Sequence, residues 1–239
     1  MKILALDTAT ESCSAALLVD GNVRAHEVEM NRGHAERVLP MIDSLLSEGH
    51  LSLSDLNAIA FGRGPGSFTG VRLAATVTQG LAFGAGLGVV PISDLQAVAQ
   101  RVLGGVGATD PSRARVLVCN DARMSEVYWA CFEQGDDGLA RLEGEEHVSK
   151  PSEVRLPQSW TTVTAAGRGF SAYAAALQMA VPSVSFASAA VALLPRATEI
   201  ALLAVPLVAA GRLLPAEAAI PTYLRDNVAH VAQAPKPTR

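Results

Sequence analysis

An acidic residue followed by two hydroxyl side chains closes the first apolar run of the chain, residues 3–7 leading into Asp7-Thr8-Ala9-Thr10. A carboxylate and hydroxyls at a strand end can hold a metal-bound phosphate, which makes Asp7, Thr8 and Thr10 candidate nucleotide ligands. The plainer alternative is that Asp7 and Thr8 hydrogen-bond the backbone of their own turn. A second segment, Gly62-Arg63-Gly64-Pro65-Gly66-Ser67-Phe68-Thr69-Gly70, stands before a helical pattern. There Gly64, Gly66 and Ser67 could offer backbone N–H groups to an anion at a helix start, or serve close packing of helix on strand. It is not a phosphate-binding P-loop, because Val71-Arg72 stands where Lys-Ser/Thr would follow. The dinucleotide glycine spacing is only loosely met.

Other chemistries find less support. His26, His34, His50, His147 and His230 never recur at the three- or four-residue spacing that puts two imidazoles on one helix face, so no metal site is expected. Ser12, Ser14 and Ser67 lack the nucleophile elbow of acyl hydrolases. Cys13, Cys119 and Cys131 are too few and scattered for a disulfide framework and read as buried thiols. No catalytic residue is assigned. A kinase or ATPase would use Asp7, Thr8 and Thr10 with a second acid such as Asp121. A peptidase would need a metal centre or an activated nucleophile, and neither is visible.

The elements that must position these residues follow from periodicity. Buried-type strands are expected at 3–7, 14–20 and 23–29, then an amphipathic helix at 34–47 carrying Val38, Met41, Ile42, Leu45 and Leu46. A strand at 58–61, the glycine loop, a helix to about 84, a strand at 88–92 and a helix at 94–103 complete a first half. Gly104-Gly105-Val106-Gly107 and Asp110-Pro111 interrupt helix and strand alike, which puts a boundary near 106. Strands at 115–119, 126–133 and 139–146 then repeat the opening, with Asp121 in the place of Asp7. A strand at 161–166, a helix at 171–179, a strand at 183–186 and a helix at 198–211 follow. The reading is an internally duplicated α/β chain: domain 1–105, which binds a partner, domain 106–226 and a loose tail at 227–239.

With 239 residues, 49% hydrophobic and 18% charged, the chain can bury a substantial core. Its net charge of -4 argues against a broad nucleic-acid footprint, so any tRNA contact is expected only through a complex. The apolar stretches 71–92 and 181–215 are broken by charges, glycines and prolines, so no membrane span is expected. Asp7 interrupts what a secretion signal would need, which suggests a cytoplasmic setting. The helix 70–84 is rich in small residues, Ala74, Ala75, Thr76, Thr78, Gly80, Ala82 and Gly84, and invites a close helical neighbour.

The segments LALDTATESCSAAL, HAERVLPMID, GRGPGSFTGVR with RLAATVTQGLAFG, and PTYLRD together resemble the TsaB family of the bacterial tRNA threonylcarbamoyladenosine machinery. The likeness is strong over residues 1–103 and thinner from 106 to 220. It implies the actin-like ATPase (ASKHA) architecture, two ribonuclease H-like halves with mixed five-stranded sheets flanked by helices. It implies a non-catalytic relative of the transferase TsaD, since Pro91-Ile92-Ser93-Asp94 stands where TsaD carries a histidine metal motif. It further implies a TsaD-like catalytic partner, a TsaE-like ATPase, ATP and a metal in those partners with no cofactor of its own, and a homodimer when isolated. Helices 34–47 and 70–84 would form the seam, with Leu39, Ile42, Leu73, Thr76 and Val77 as candidate contacts.

Overall fold

The computed structural model describes residues 1–104, 115–185 and 190–225. The boundary near 106 and the tail at 227–239 lie outside them. In the first sheet, β1 (Lys2–Asp7), β2 (Ser12–Val19), β3 (Asn22–Glu29), β4 (Ala58–Gly62) and β5 (Val89–Ile92) are ordered β3-β2-β1-β4-β5. β2 runs antiparallel to β1 and β3, whereas β4 and β5 run parallel to β1. In the second sheet, β6 (Arg115–Asp121), β7 (Val127–Gln134), β8 (Ala140–Ser149), β9 (Val163–Ala166) and β10 (Val184–Ser185) are ordered β10-β9-β6-β7-β8. Each sheet therefore places its own strands third, second, first, fourth, fifth. This is the duplicated ribonuclease H-like arrangement of the actin-like architecture.

Central strands are apolar on both faces, and their two-residue period feeds two cores at once. From the first sheet, Leu4, Leu6, Cys13, Ala15, Leu17, Ile59 and Phe61 face α1 (His34–Gly49) and α2 (Phe68–Ala85), which bring Val38, Ile42, Leu45, Ala74, Ala75 and Ala82. The alternate residues Ile3, Ala5, Ala16, Leu18, Ala58 and Ala60 face α6 (Ala197–Ala209). In the second sheet Val116, Val118, Ala130 and Phe132 face α3 (Asp94–Leu103). Leu117, Cys119, Trp129 and Cys131 pack with Phe170 and Leu177 of α4 (Gly169–Ala172) and α5 (Ala174–Ala180).

The halves thus exchange helices. α3, read from its place in the chain as part of the first half, covers the second sheet, and α6, read as part of the second, covers the first. The layers run α1/α2, first sheet, α6, α3, second sheet, α4/α5. The exchange is invisible to periodicity, which identifies an apolar face but not the sheet it covers. The single helix expected at 171–179 is also split, at Tyr173 (φ -130°), whose hydroxyl donates to Asp121 at 3.1 Å.

Beyond α6 the chain returns along the first half. Leu214 pairs with Val89 on the open edge of β5, a turn at Ala216–Ala218 packs on α2, and the Thr222 N–H donates to the Arg63 carbonyl at 2.7 Å. Tyr223 then lies 6.5 Å from Phe68, ring to ring, with the Arg72 guanidinium 3.3 Å from the Phe68 centroid and 5.0 Å from that of Tyr223.

Candidate functional sites: a sealed strand end and an open helix face

Asp7 ends β1 fully buried. Its Oδ1 accepts from the Ala9 N–H at 2.9 Å, and Asp121 repeats the turn at the end of β6, its Oδ1 accepting from the Arg123 N–H at 2.8 Å. Thr8 donates to the Gly70 carbonyl at 2.7 Å. Asp7 therefore caps its own turn, Thr8 ties that turn to the start of α2, and the Asp7 carboxyl is buried.

Its neighbour is Asp94, equally buried at the start of α3. One Asp94 oxygen accepts from the Gly64 N–H. Asp7 Oδ2 and Asp94 Oδ1 have no other partner. Burial, the larger effect, raises the Asp7 pKa to about 6. Burial and then the charge of Asp7 push Asp94 well above the ordinary carboxylate range. Two buried carboxylates in contact cannot both ionise cheaply, so the pair shares a proton near neutrality. Sequence reasoning passed over this contact because Asp94 reads as an ordinary first-turn helix acid, 87 positions from Asp7.

The glycine loop is clamped onto residues 8 and 9. A Cβ at Gly66 would lie 2.5 Å from the Ala9 carbonyl oxygen, and one at Gly70 would lie 2.0 Å from that of Thr8. Three of its donors are committed: Gly64 N–H to Asp94, Ser67 N–H to the Ala9 carbonyl, and Gly70 N–H to the Ser67 hydroxyl that caps α2. The glycines at 66 and 70 answer a need for close approach. Thr10 has a different setting. With Gly66 and Ser67 it lines a cavity of about 240 Å³ between the halves, opposite Asn120, Asp121 and Arg123. His34 is tied to the same turn, its Nε2 lying 3.0 Å from the Thr10 carbonyl oxygen.

The thiols are closed off. Burial raises Cys13 to about 11 and Cys131 to about 12, and lifts Cys119 well above the usual range. Among the described residues no three His, Cys, Asp or Glu side chains converge as metal ligands would. No helix of the described residues is long and apolar enough to cross a membrane.

The outer face of α1 and α2 is open. Leu39 is 49% and Phe83 78% exposed, Thr76 is exposed, and Leu73 and Val77 are half-buried. Ile42 is a correction: at 3% exposure it points inward with Val38 and Leu45, on the face that covers the first sheet. Periodicity found that stripe, but Leu39 lies outside it and Ile42 within. Gly80 and Gly84 continue the open face, and a Cβ at either would meet nothing within 4 Å.

Comparison with known proteins fits this geometry. Residues 28–233 match the family model described as TsaD: tRNA N6-adenosine threonylcarbamoyltransferase. The Escherichia coli (strain K12) tRNA threonylcarbamoyladenosine biosynthesis protein TsaB is 42% identical across 96% of both chains. The chain belongs to the TsaB family. The Haemophilus influenzae TsaB is 51% identical over 54% of this chain and 53% of its own. The solved structure of YeaZ from Pseudomonas aeruginosa superimposes with a TM-score of 0.81 at 42% identity, covering 93% of this chain and 99% of that one. The family model carries the name of a transferase, whereas the relative that matches end to end is TsaB.

Proposed function

We propose that this chain is a non-catalytic scaffold subunit in the biosynthesis of threonylcarbamoyladenosine in tRNA, acting by docking a TsaD-like catalytic relative along the outer face of α1 and α2. The observation that carries this reading is the pair Gly80 and Gly84. A glycine inside a helix costs about 1 kcal/mol relative to alanine. Nothing in the chain's own packing asks for one at either position. Two glycines four residues apart let a second helix backbone approach closely, and the exposed Phe83 and Leu39 beside them supply apolar area to bury. In the isolated chain the same face would pair with a second copy. The buried Asp7–Asp94 pair supports the absence of chemistry at the strand end, so ATP and metal would enter with a TsaD-like and a TsaE-like partner, in a cytoplasmic assembly that alone meets tRNA.

The test is to mix the purified chain with a TsaD-like protein, size the product, and assay tRNA modification with and without this chain. Wild type is expected to form the complex and restore modification. Gly80→Leu or Thr76→Arg, which meet open space in the free chain, should abolish both while leaving the fold intact. A variant complex of unchanged size and activity would exclude this face.

A further inference from the structure

Where the returning chain crosses the start of α2, a cation is held with no anion to meet it. Phe68 and Tyr223, which line the cleft between the halves, are 59% and 47% exposed. The half-buried Arg72 guanidinium lies 3.3 Å from the first ring centroid and 5.0 Å from the second. Rings stacked this way cover the faces of a planar guanidinium and leave its in-plane N–H donors, one of which reaches the Phe68 carbonyl at 3.3 Å. Two other arginines of this crossing are answered, Arg63 by Glu146 at 2.9 Å and Arg225 by Glu126, whereas among the described residues Arg72 forms no ion pair.

The stack is no loose end. The Thr222 N–H is bound to the Arg63 carbonyl and Arg225 donates to the Ala122 carbonyl at 3.1 Å, so Tyr223 is pinned on both sides. Further back, Gln79 of α2 donates to the Glu217 carbonyl at 3.2 Å. Phe68, Arg72, Thr76 and Gly80 follow at four-residue steps, which sets each beside the next along one flank of α2. Arg72 therefore stands about 12 Å along the helix from Gly80, at the N-terminal end of the open face. A guanidinium whose direction is fixed by stacking has little side-chain freedom left to lose, and it is weakly hydrated. Covering it costs little once a carboxylate takes the place of water. Arginine and exposed aromatic rings are also the residue types that anchor protein interfaces.

We propose that the Arg72 guanidinium, held between Phe68 and Tyr223, is the ionic anchor of the docking face and receives the carboxylate of an aspartate or glutamate of the TsaD-like partner. The inference rests on the docking reading above and adds the chemistry that the partner must bring to one end of that face. An acidic side chain lies opposite Arg72, with apolar surface beside it to cover the Phe68 and Tyr223 rings. Two in-plane N–H groups of one guanidinium meet two oxygens of one carboxylate, which fixes the register of the partner along α2.

The experiment titrates the purified chain with a TsaD-like protein, without tRNA, in a calorimeter at low salt and at about 0.5 M salt. Wild type is compared with Arg72→Gln, with Arg72→Lys and, as the test of the face itself, with Gly80→Leu. Arg72→Gln should weaken binding at least about tenfold at low salt and by a smaller factor at high salt, because screening acts on the ion pair of wild type alone. Arg72→Lys keeps the charge and supplies an amine. A water-soluble carbodiimide should join that amine to an aspartate or glutamate of the partner, and peptide mass spectrometry reads the cross-link. Unchanged affinity in Arg72→Gln overturns the anchor, and so does a loss of equal size at both salt concentrations, which would be a packing effect. A cross-link from position 72 found only within this chain or to a second copy overturns it as well. Unchanged binding in Arg72→Gln beside lost binding in Gly80→Leu removes the anchor and leaves the face standing, whereas unchanged binding in both removes the face too.

Discussion

Asp7 and Asp94 meet across the bare Cα of Gly62. A Cβ at residue 62 would lie 2.6 Å from Asp7 Oδ1 and 2.5 Å from Asp94 Oδ1, closer than atoms of that kind approach. Gly62→Ala must therefore push apart two side chains that have no room to retreat. A loss of about 1–3 kcal/mol is expected from overpacking. Urea unfolding of the variant beside wild type reads it, and an unshifted midpoint would mean that the two carboxyls are not held where they are described.

The same pair predicts a pH dependence. The Asp7 pKa is raised to about 6 in the fold, above its ordinary value of 3.8. Such a group favours the folded state fully in acid below the ordinary value, and the contribution is lost as pH rises through about 6. Asp7→Asn keeps an acceptor for the Ala9 N–H and offers Asp94 a donor that never needs protonation. Relative to wild type the variant should gain stability between pH 4.5 and pH 8, on the order of a few kcal/mol. Denaturation midpoints measured for both proteins across that interval provide the check; parallel curves would contradict the shared proton.

Ile42 and Thr76 should separate folding from docking. Ile42→Ala empties a core site and is expected to cost about 2–5 kcal/mol. Thr76→Arg projects from the open face of α2 and should change stability by no more than about 0.5 kcal/mol. If thermal melts rank the two the other way, the assignment of faces on α1 and α2 is wrong.

The returning segment offers a fourth test. Tyr223 and Phe68 flank the Arg72 guanidinium, and Tyr223→Ala removes one side of that stack. Cation–π contacts at exposed sites contribute about 0.5–1 kcal/mol. The variant should be cut faster by protease between residues 214 and 223, with little change in global unfolding. Equal cutting rates would show that the stack does not hold the segment down.

Much of this architecture was legible from the chain because its strands are short apolar runs and its helices carry apolar residues at three- and four-residue spacing. The starts of α1 and α3 and the repeated order of strands follow from local chemistry. What periodicity lacks is address. It marks Ile42 and Leu39 alike as apolar helix residues, and only packing reveals that one covers a sheet while the other faces outward. It reads Asp94 as a helix-start acid, and only the absent side chain of Gly62 lets it touch Asp7. Glu11, Arg123 and Arg168 look like ordinary surface charges, and nothing in their spacing says that they face one another across the cleft.

The reciprocal placement of α3 and α6 sets the order in which the chain can mature. During synthesis, Ile3, Ala5, Ala16, Leu18, Ala58 and Ala60 emerge early but wait for residues 197–209 before anything covers them. A chain stopped after residue 104 would leave one face of its sheet uncovered, and α3 would lack the second sheet on which it packs. Each sheet thus takes one of its two apolar covers from a helix encoded in the other half of the chain.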